Sequence, residues 1–232
     1  MSSSVPANPA ATIGVGNVRG ASARRFMVAP TVAFVGASVA FASLYLAAGA
    51  PTPLLVLYEQ QWGFPAGVLT IAYAAYAIVL IAALLVAGSL SDYIGRRPVL
   101  IGSLVVELAA MVLFLFAPNI TWVIVARVVQ GIATGAASSA FTAYIVELAP
   151  AKRKKLGTIV GGTAPAAGLG LGALLTGVAV QFSAAANTIV FVGLAIIMVL
   201  GTLVTILSGE TVTRRAGATR SLSPRVSIPP AA

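Results

Sequence analysis

The chain has 232 residues, 59% of them hydrophobic and 8% charged, with a net charge of +9 and neither His nor Cys. So few charges cannot clothe a soluble fold, where about a quarter of residues are charged, so the chain reads as a polytopic membrane protein. Without Cys or His there are no disulfides, no thiol or imidazole catalysis and none of the usual zinc or copper sites, and the scattered basic patches do not form the polar face that a nucleic-acid partner needs.

Residues 1–29 are rich in Ser, Ala, Gly and Pro, carry Arg19, Arg24 and Arg25, and read as a disordered head. Its GVGNVRG fragment has the wrong Gly spacing for a dinucleotide fingerprint and no strand before it. Apolar runs follow at about 31–57, 66–88, 98–117, 120–146, 156–182 and 188–208. Each is near the ~20 residues that span a bilayer as helix. Residues 30–208 are therefore predicted to form a six-helix transmembrane bundle, an all-α membrane fold. A cleaved signal peptide is a poor reading of the first run, which is too long, begins too late, and has Pro51 directly after the Ala48-Gly49-Ala50 mimic of a cleavage site. Pro51 and Pro53 are expected to kink this run near its end. Trp62 and Trp122 are expected as interfacial anchors, and Glu59 as a solvated or interfacial residue. Residues 209–232 are polar and basic and read as a disordered tail.

The connections alternate in charge. Arg96 and Arg97 lie between runs two and three, Lys152 to Lys155 between runs four and five, and Arg214, Arg215, Arg220 and Arg225 after run six. With the three arginines of the head, 13 of the 14 basic residues fall on one side, and the other three connections hold none. By the positive-inside rule both termini are expected in the cytoplasm.

The first basic loop reads GSLSDYIGRRPVL, residues 88–100. Gly88 ends run two, Gly95 suits a turn with positive φ, Asp92 can pair with Arg96 one helical turn on, and Pro98 suits the start of the next helix. Topology alone explains the two arginines but not Asp92 or the Gly spacing. The stretch resembles the signature loop of the major facilitator superfamily of secondary transporters, which Gly88, Asp92, Gly95, Arg96 and Arg97 match. Tyr93 departs from it, since the family commonly has a basic residue there. In run four, ARVVQGIATGA resembles a second family pattern through Arg127, Gln130, Gly131 and Gly135. Gly131 and Gly135 also make a small-xxx-small face for close helix packing. In run five, GGTAPAAGLG resembles the antiporter branch through Pro165 and Gly168. Ala164 and Leu169 stand where that motif has Gly, and a generic Gly-rich kinked helix explains the segment equally well.

The resemblance covers about residues 31–208 and implies the N-terminal six-helix half of the family's fold, built as a 3+3 inverted repeat. It implies a conformational latch of Gly88, Asp92, Gly95, Arg96 and Arg97 with Glu147, the acid at the end of run four, in which Asp92, Arg96 and Glu147 form the charge cluster. It also implies secondary transport, here read as proton-coupled efflux of a small molecule through a multi-pass protein of a bacterial inner membrane. The proton gradient would supply the energy, with no bound cofactor or metal, and the partners would be lipid, substrate and a second half or a second copy. The alternative is a truncated, non-transporting fragment or partner subunit. No nucleophile–base pair, ligand set or phosphate loop suggests an enzyme; GLGLG lies mid-helix, outside any strand–turn–helix setting.

Two ionisable residues fall inside apolar runs. Each charge near the bilayer centre costs about 2.5–3.5 kcal/mol and calls for a partner or a wet cavity. Counting from the Pro118-Asn119 turn at ~1.5 Å per residue, Glu107 lies roughly 17 Å deep and Arg127 roughly 12 Å. Arg127, with Gln130 and Gly131 of the same pattern, either takes part in proton or substrate coupling, as the resemblance implies, or Arg127 satisfies helix-end carbonyls or Glu107. Glu107 is either functional or a packing and pairing residue on a helix that the resemblance makes peripheral.

Overall fold

A computed structural model of the chain describes residues 29–87, 91 and 94–210. Its α-helices are α1 (Pro30–Gly49), α2 (Pro51–Trp62), α3 (Ala66–Ala87), α4 (Arg96–Leu115), α5 (Ile120–Leu148), α6 (Lys154–Phe182) and α7 (Ala186–Leu207), with a short 3-10 turn at Ala151–Arg153 before α6. Together α1 and α2 make one span, so the described residues contain 6 membrane-length apolar segments. The protein is an integral, multi-pass membrane protein.

The span boundaries follow local chemistry rather than hydropathy alone. Tyr58, Glu59, Gln60 and Gln61 end the first apolar run, yet the helix continues through them. It stops at Gly63, whose φ of 65° forms a left-handed cap and whose N–H reaches the Glu59 carbonyl. The first span breaks at Ala50, where the sequence places Pro51 and Pro53. Neither proline has an N–H, so the Ala47 and Gly49 carbonyls lose their helical donors. Helix α4 starts at Arg96, two residues before the expected end of the loop, and α6 takes in Lys154 and Lys155. Asn119 caps α5 by accepting from the Trp122 N–H at 3.3 Å.

Packing centres on α1 and α5. Helix α6 lies on α1 as α3 lies on α5, and α4 meets α7. That pairing pattern is what a three-span unit used twice produces. The two close pairs rest on glycine. Gly131 and Gly135 of α5 face the backbone of α3 at Tyr76 and Leu80, and Gly168 and Gly172 of α6 face the backbone of α1 at Ala42 and Leu46. Lipid offers no hydrophobic drive to associate, so close approach and dispersion carry these contacts. The buried positions of α6 are accordingly all small: Gly157, Gly161, Ala164, Gly168, Gly172 and Thr176. Gly168 thus has a packing role, and Pro165 lies inside a helix that continues past it.

At the end of the bundle away from the basic connections, the Tyr58 hydroxyl donates to Asn187 Oδ1 at 2.5 Å, and Asn187 Nδ2 donates to the Leu115 carbonyl at 3.4 Å. Phe114 stacks on Phe191 with centroids 4.9 Å apart. Three spans are tied together there, beside the exposed Trp62 and Trp122.

Candidate functional site

The buried polar centre begins with a missing donor. Pro51 leaves the Ala47 carbonyl of α1 without its i+4 N–H, deep in an apolar bundle. Gln130 of α5 fills the gap, its Nε2 donating to Ala47 O at 3.0 Å. Arg127, one turn earlier on α5, donates through Nη1 to the next carbonyl, Ala48 O, at 3.0 Å and to Gln130 Oε1 at 3.0 Å. Gln130 Nε2 also reaches Glu107 Oε1 of α4 at 3.0 Å. A single side-chain amide therefore joins the guanidinium, the carboxyl and the broken turn of α1. Thr134 Oγ1 donates to the Gln130 carbonyl at 2.9 Å.

Arg127 is 1% exposed, and Glu107 and Gln130 are fully buried. The contact expected between Arg127 and Glu107 runs through Gln130, while Arg127 itself satisfies a helix-break carbonyl. Glu107, on a helix expected to be peripheral, faces the bundle core. Close approach of α3 at Gly131 brings two aromatic faces to the cation: Arg127 Cζ lies 5.5 Å from the Tyr73 ring centroid and 5.3 Å from that of Tyr76. Three buried polar atoms here make no hydrogen bond among the described residues: Glu107 Oε2, the Tyr76 hydroxyl and Arg127 Nε. The site thus holds a fully buried carboxyl, a buried cation, and polar atoms without a hydrogen bond among the described residues.

A second polar cluster sits at the basic end. Gly95 precedes α4 with φ of 102°, a backbone that other residues rarely adopt, and a side chain there would meet Glu210. Arg96 Nη2 pairs with Glu147 Oε1 of α5 at 3.4 Å, and its Nη1 donates to Ser91 Oγ at 2.6 Å. Gly88 and Asp92 lie outside the described residues. Arg97 does not face α5: its guanidinium donates to the Thr205 carbonyl at 3.3 Å and to that of Ile206, capping the last turn of α7. In return the Glu210 carboxylate accepts the Arg96 and Arg97 backbone N–H groups at 3.0 and 3.1 Å. An acid caps one helix start and a base caps one helix end, each favoured by the helix dipole. The Tyr144 hydroxyl adds a bond to the Gly209 carbonyl at 2.8 Å. The expected tail at 209–232 therefore begins with two docked residues.

Glu210, Tyr73 and Tyr76 were not singled out from the sequence. Glu210 is the one acid in the terminal polar segment, directly after the sixth run, and the two tyrosines stand three apart on one helix face. Those were the available signals. Glu210→Ala is expected to cost about 1–2 kcal/mol, because two helix-start N–H groups lose a charged acceptor. Denaturation of the detergent-solubilised protein would measure it, and an unchanged midpoint would mean that water replaces the carboxylate without loss.

Comparison with known proteins agrees with this architecture. A 67-residue stretch, 29% of the chain, is 37% identical to the major myo-inositol transporter IolT of Bacillus subtilis (strain 168), covering 14% of that protein. Among solved structures, a peptide transporter of the POT type in complex with sulfate superposes with a TM-score of 0.63 at 18% identity, over 82% of this chain and 41% of that one. The human organic anion transporter MFSD10 (TETRAN) superposes with a TM-score of 0.53 at 20% identity, over 78% of this chain and 47% of that one. The chain thus matches less than half the length of these relatives. The family model of the Major Facilitator Superfamily matches residues 19–229, so the chain belongs to that superfamily.

Proposed function

We propose that this chain is the N-terminal six-helix half of a secondary transporter that exchanges a small molecule for protons, exporting it from a bacterial cell across the inner membrane. The observation that carries the reading is the buried Arg127–Gln130–Glu107 network seated on the broken turn of α1. A carboxyl that gains or loses a proton there changes the charge balance around Arg127. Gln130 transmits that change to the turn where α1 can bend. No metal or bound cofactor is needed, because the proton is the co-substrate.

The two polar clusters then have separate duties. The core network couples, and the Arg96–Glu147 pair serves as the latch at the cytoplasmic end. That pair is only partly buried, at 12% and 30% side-chain exposure. A pair so placed contributes at most ~1 kcal/mol, little enough to open in each cycle. The distribution of basic residues supports cytoplasmic termini.

A second reading is favoured by the coverage of the solved relatives, 41% and 47%. Alternating access in this fold needs a second bundle to move against. The chain would then act as a partner subunit for another six-helix unit, or for a second copy of itself.

The test is reconstitution of the full chain in liposomes enclosing a pH-sensitive dye. The compounds offered would be a polyol, short peptides and organic anions, the classes named by the relatives. Proton movement on adding one of them supports the coupled carrier. Compound flux at the same rate with and without a pH gradient would refute coupling. Flux that arises only after co-expression with another six-helix unit would favour the partner reading.

A further inference from the structure

We propose that the basic turn before α6 is a binding site for an anionic phospholipid. Lys152, Arg153, Lys154 and Lys155 are consecutive and all exposed. None of them pairs with a carboxylate among the described residues. With Leu156 and Ile159 they line an open depression of about 610 Å³.

The arrangement sorts charge from hydrocarbon along one helix. The cations occupy the 3-10 turn and the first residues of a 29-residue membrane-length helix. Leu156 and Ile159, 38% and 57% exposed, follow within one turn. Their depth below Lys155 is about 2–6 Å at ~1.5 Å per residue. The opposite side of α6 is turned inward through Gly157 and Gly161, which meet α5. That packing fixes which side of the helix the depression occupies. No side chain caps the start of α6, and the positive end of a helix dipole favours a phosphate there.

A soluble anion would use the cations and leave Leu156 and Ile159 uncovered. A phospholipid uses both, with its phosphate among the cations and its acyl chain along the two apolar side chains. Each Lys or Arg near an anionic membrane strengthens attraction about fivefold, so four together give a marked preference over zwitterionic lipid. The same site ties the α5–α6 connection to the membrane surface, close to Glu147 at the end of α5.

The experiment uses the purified full chain in mild detergent, read by native mass spectrometry and by thermal unfolding with added lipid. Phosphatidylglycerol, phosphatidylcholine and free glycerol 3-phosphate are the probes. Phosphatidylglycerol should bind at least a hundredfold more tightly than phosphatidylcholine, and glycerol 3-phosphate should show little binding. K152Q/R153Q/K154Q/K155Q should remove the preference. K154Q/K155Q, which keeps two cations for correct insertion, should weaken it by roughly twentyfold or more. L156S/I159S should weaken phosphatidylglycerol while leaving any glycerol 3-phosphate binding unchanged. Equal retention of the two lipids by the native chain would overturn the proposal, as would K154Q/K155Q binding like the native chain. Glycerol 3-phosphate binding as tightly as phosphatidylglycerol would overturn the lipid assignment in favour of a soluble anion.

Discussion

Arg127→Ala should be the most damaging single substitution in the bundle, costing about 3–5 kcal/mol of stability as well as abolishing transport. Arg127 supplies bonds to the Ala48 carbonyl and to Gln130, and balances the carboxyl of Glu107 across that amide. Alanine removes the cation and leaves these buried acceptors without that donor. The loss should be partly reversed by adding Glu107→Gln, because the second change removes the carboxyl that Arg127 balanced. A double-mutant cycle on the solubilised protein measures that coupling directly. Additive losses would mean that the two residues act independently and that Gln130 does not connect them.

The second large effect is steric, and it comes with its own control. A Cβ on Gly172 would fall well inside contact distance of the Leu46 carbonyl oxygen on α1. Backbone cannot step aside as a side-chain tip can, so Gly172→Ala must push α6 off α1. Overpacking of this kind costs about 1–3 kcal/mol, and here the displaced element is a whole helix. Gly170, two residues earlier on the same helix, would meet nothing within 4 Å. Gly170→Ala should therefore be neutral or stabilising by up to ~1 kcal/mol, from helix propensity alone. Equal effects of the two substitutions would contradict the close α1–α6 packing.

The six spans were legible because apolar length alone reports a membrane helix. Their ends were not, because hydropathy falls before a helix does. Tyr58 to Gln61 look like loop by polarity, and it is Gly63 that stops the helix. Arg127 and Glu107 stood out as charges in apolar runs, which is the strongest local signal a membrane sequence carries. What joins them was hidden. Gln130 could be noted as a motif residue, but its partner Ala47 has no side-chain signature. Only Pro51, four residues on, marks that carbonyl as available. Glu210 was harder still, since its contacts with Arg96 and Arg97 span 114 and 113 residues of sequence. Such a cap depends on where two helix ends meet, and no local pattern encodes that. Gly168 shows the converse difficulty: its resemblance to an antiporter motif and its use as a packing surface need the same residue.

The arginines of the first basic loop also divide in a way that spacing could not foresee. Arg96 turns towards α5 and Glu147, whereas Arg97 turns towards the end of α7. Adjacent residues at the start of a helix point about 100° apart, so a pair of neighbouring cations can serve two different helices. One holds the ends of α4 and α7 together, and the other joins the start of α4 to the end of α5.

Coupling at the Arg127–Gln130–Glu107 network is most directly tested by proton movement in liposomes holding the native chain or Glu107→Gln, each with the second six-helix unit if one is required. Glutamine keeps the shape and a hydrogen-bond acceptor for Gln130 but cannot exchange a proton. The native chain should move protons with its substrate. The variant should fold, bind substrate and allow exchange of substrate across the membrane, yet move no protons. Proton movement by Glu107→Gln at the native rate would contradict the account.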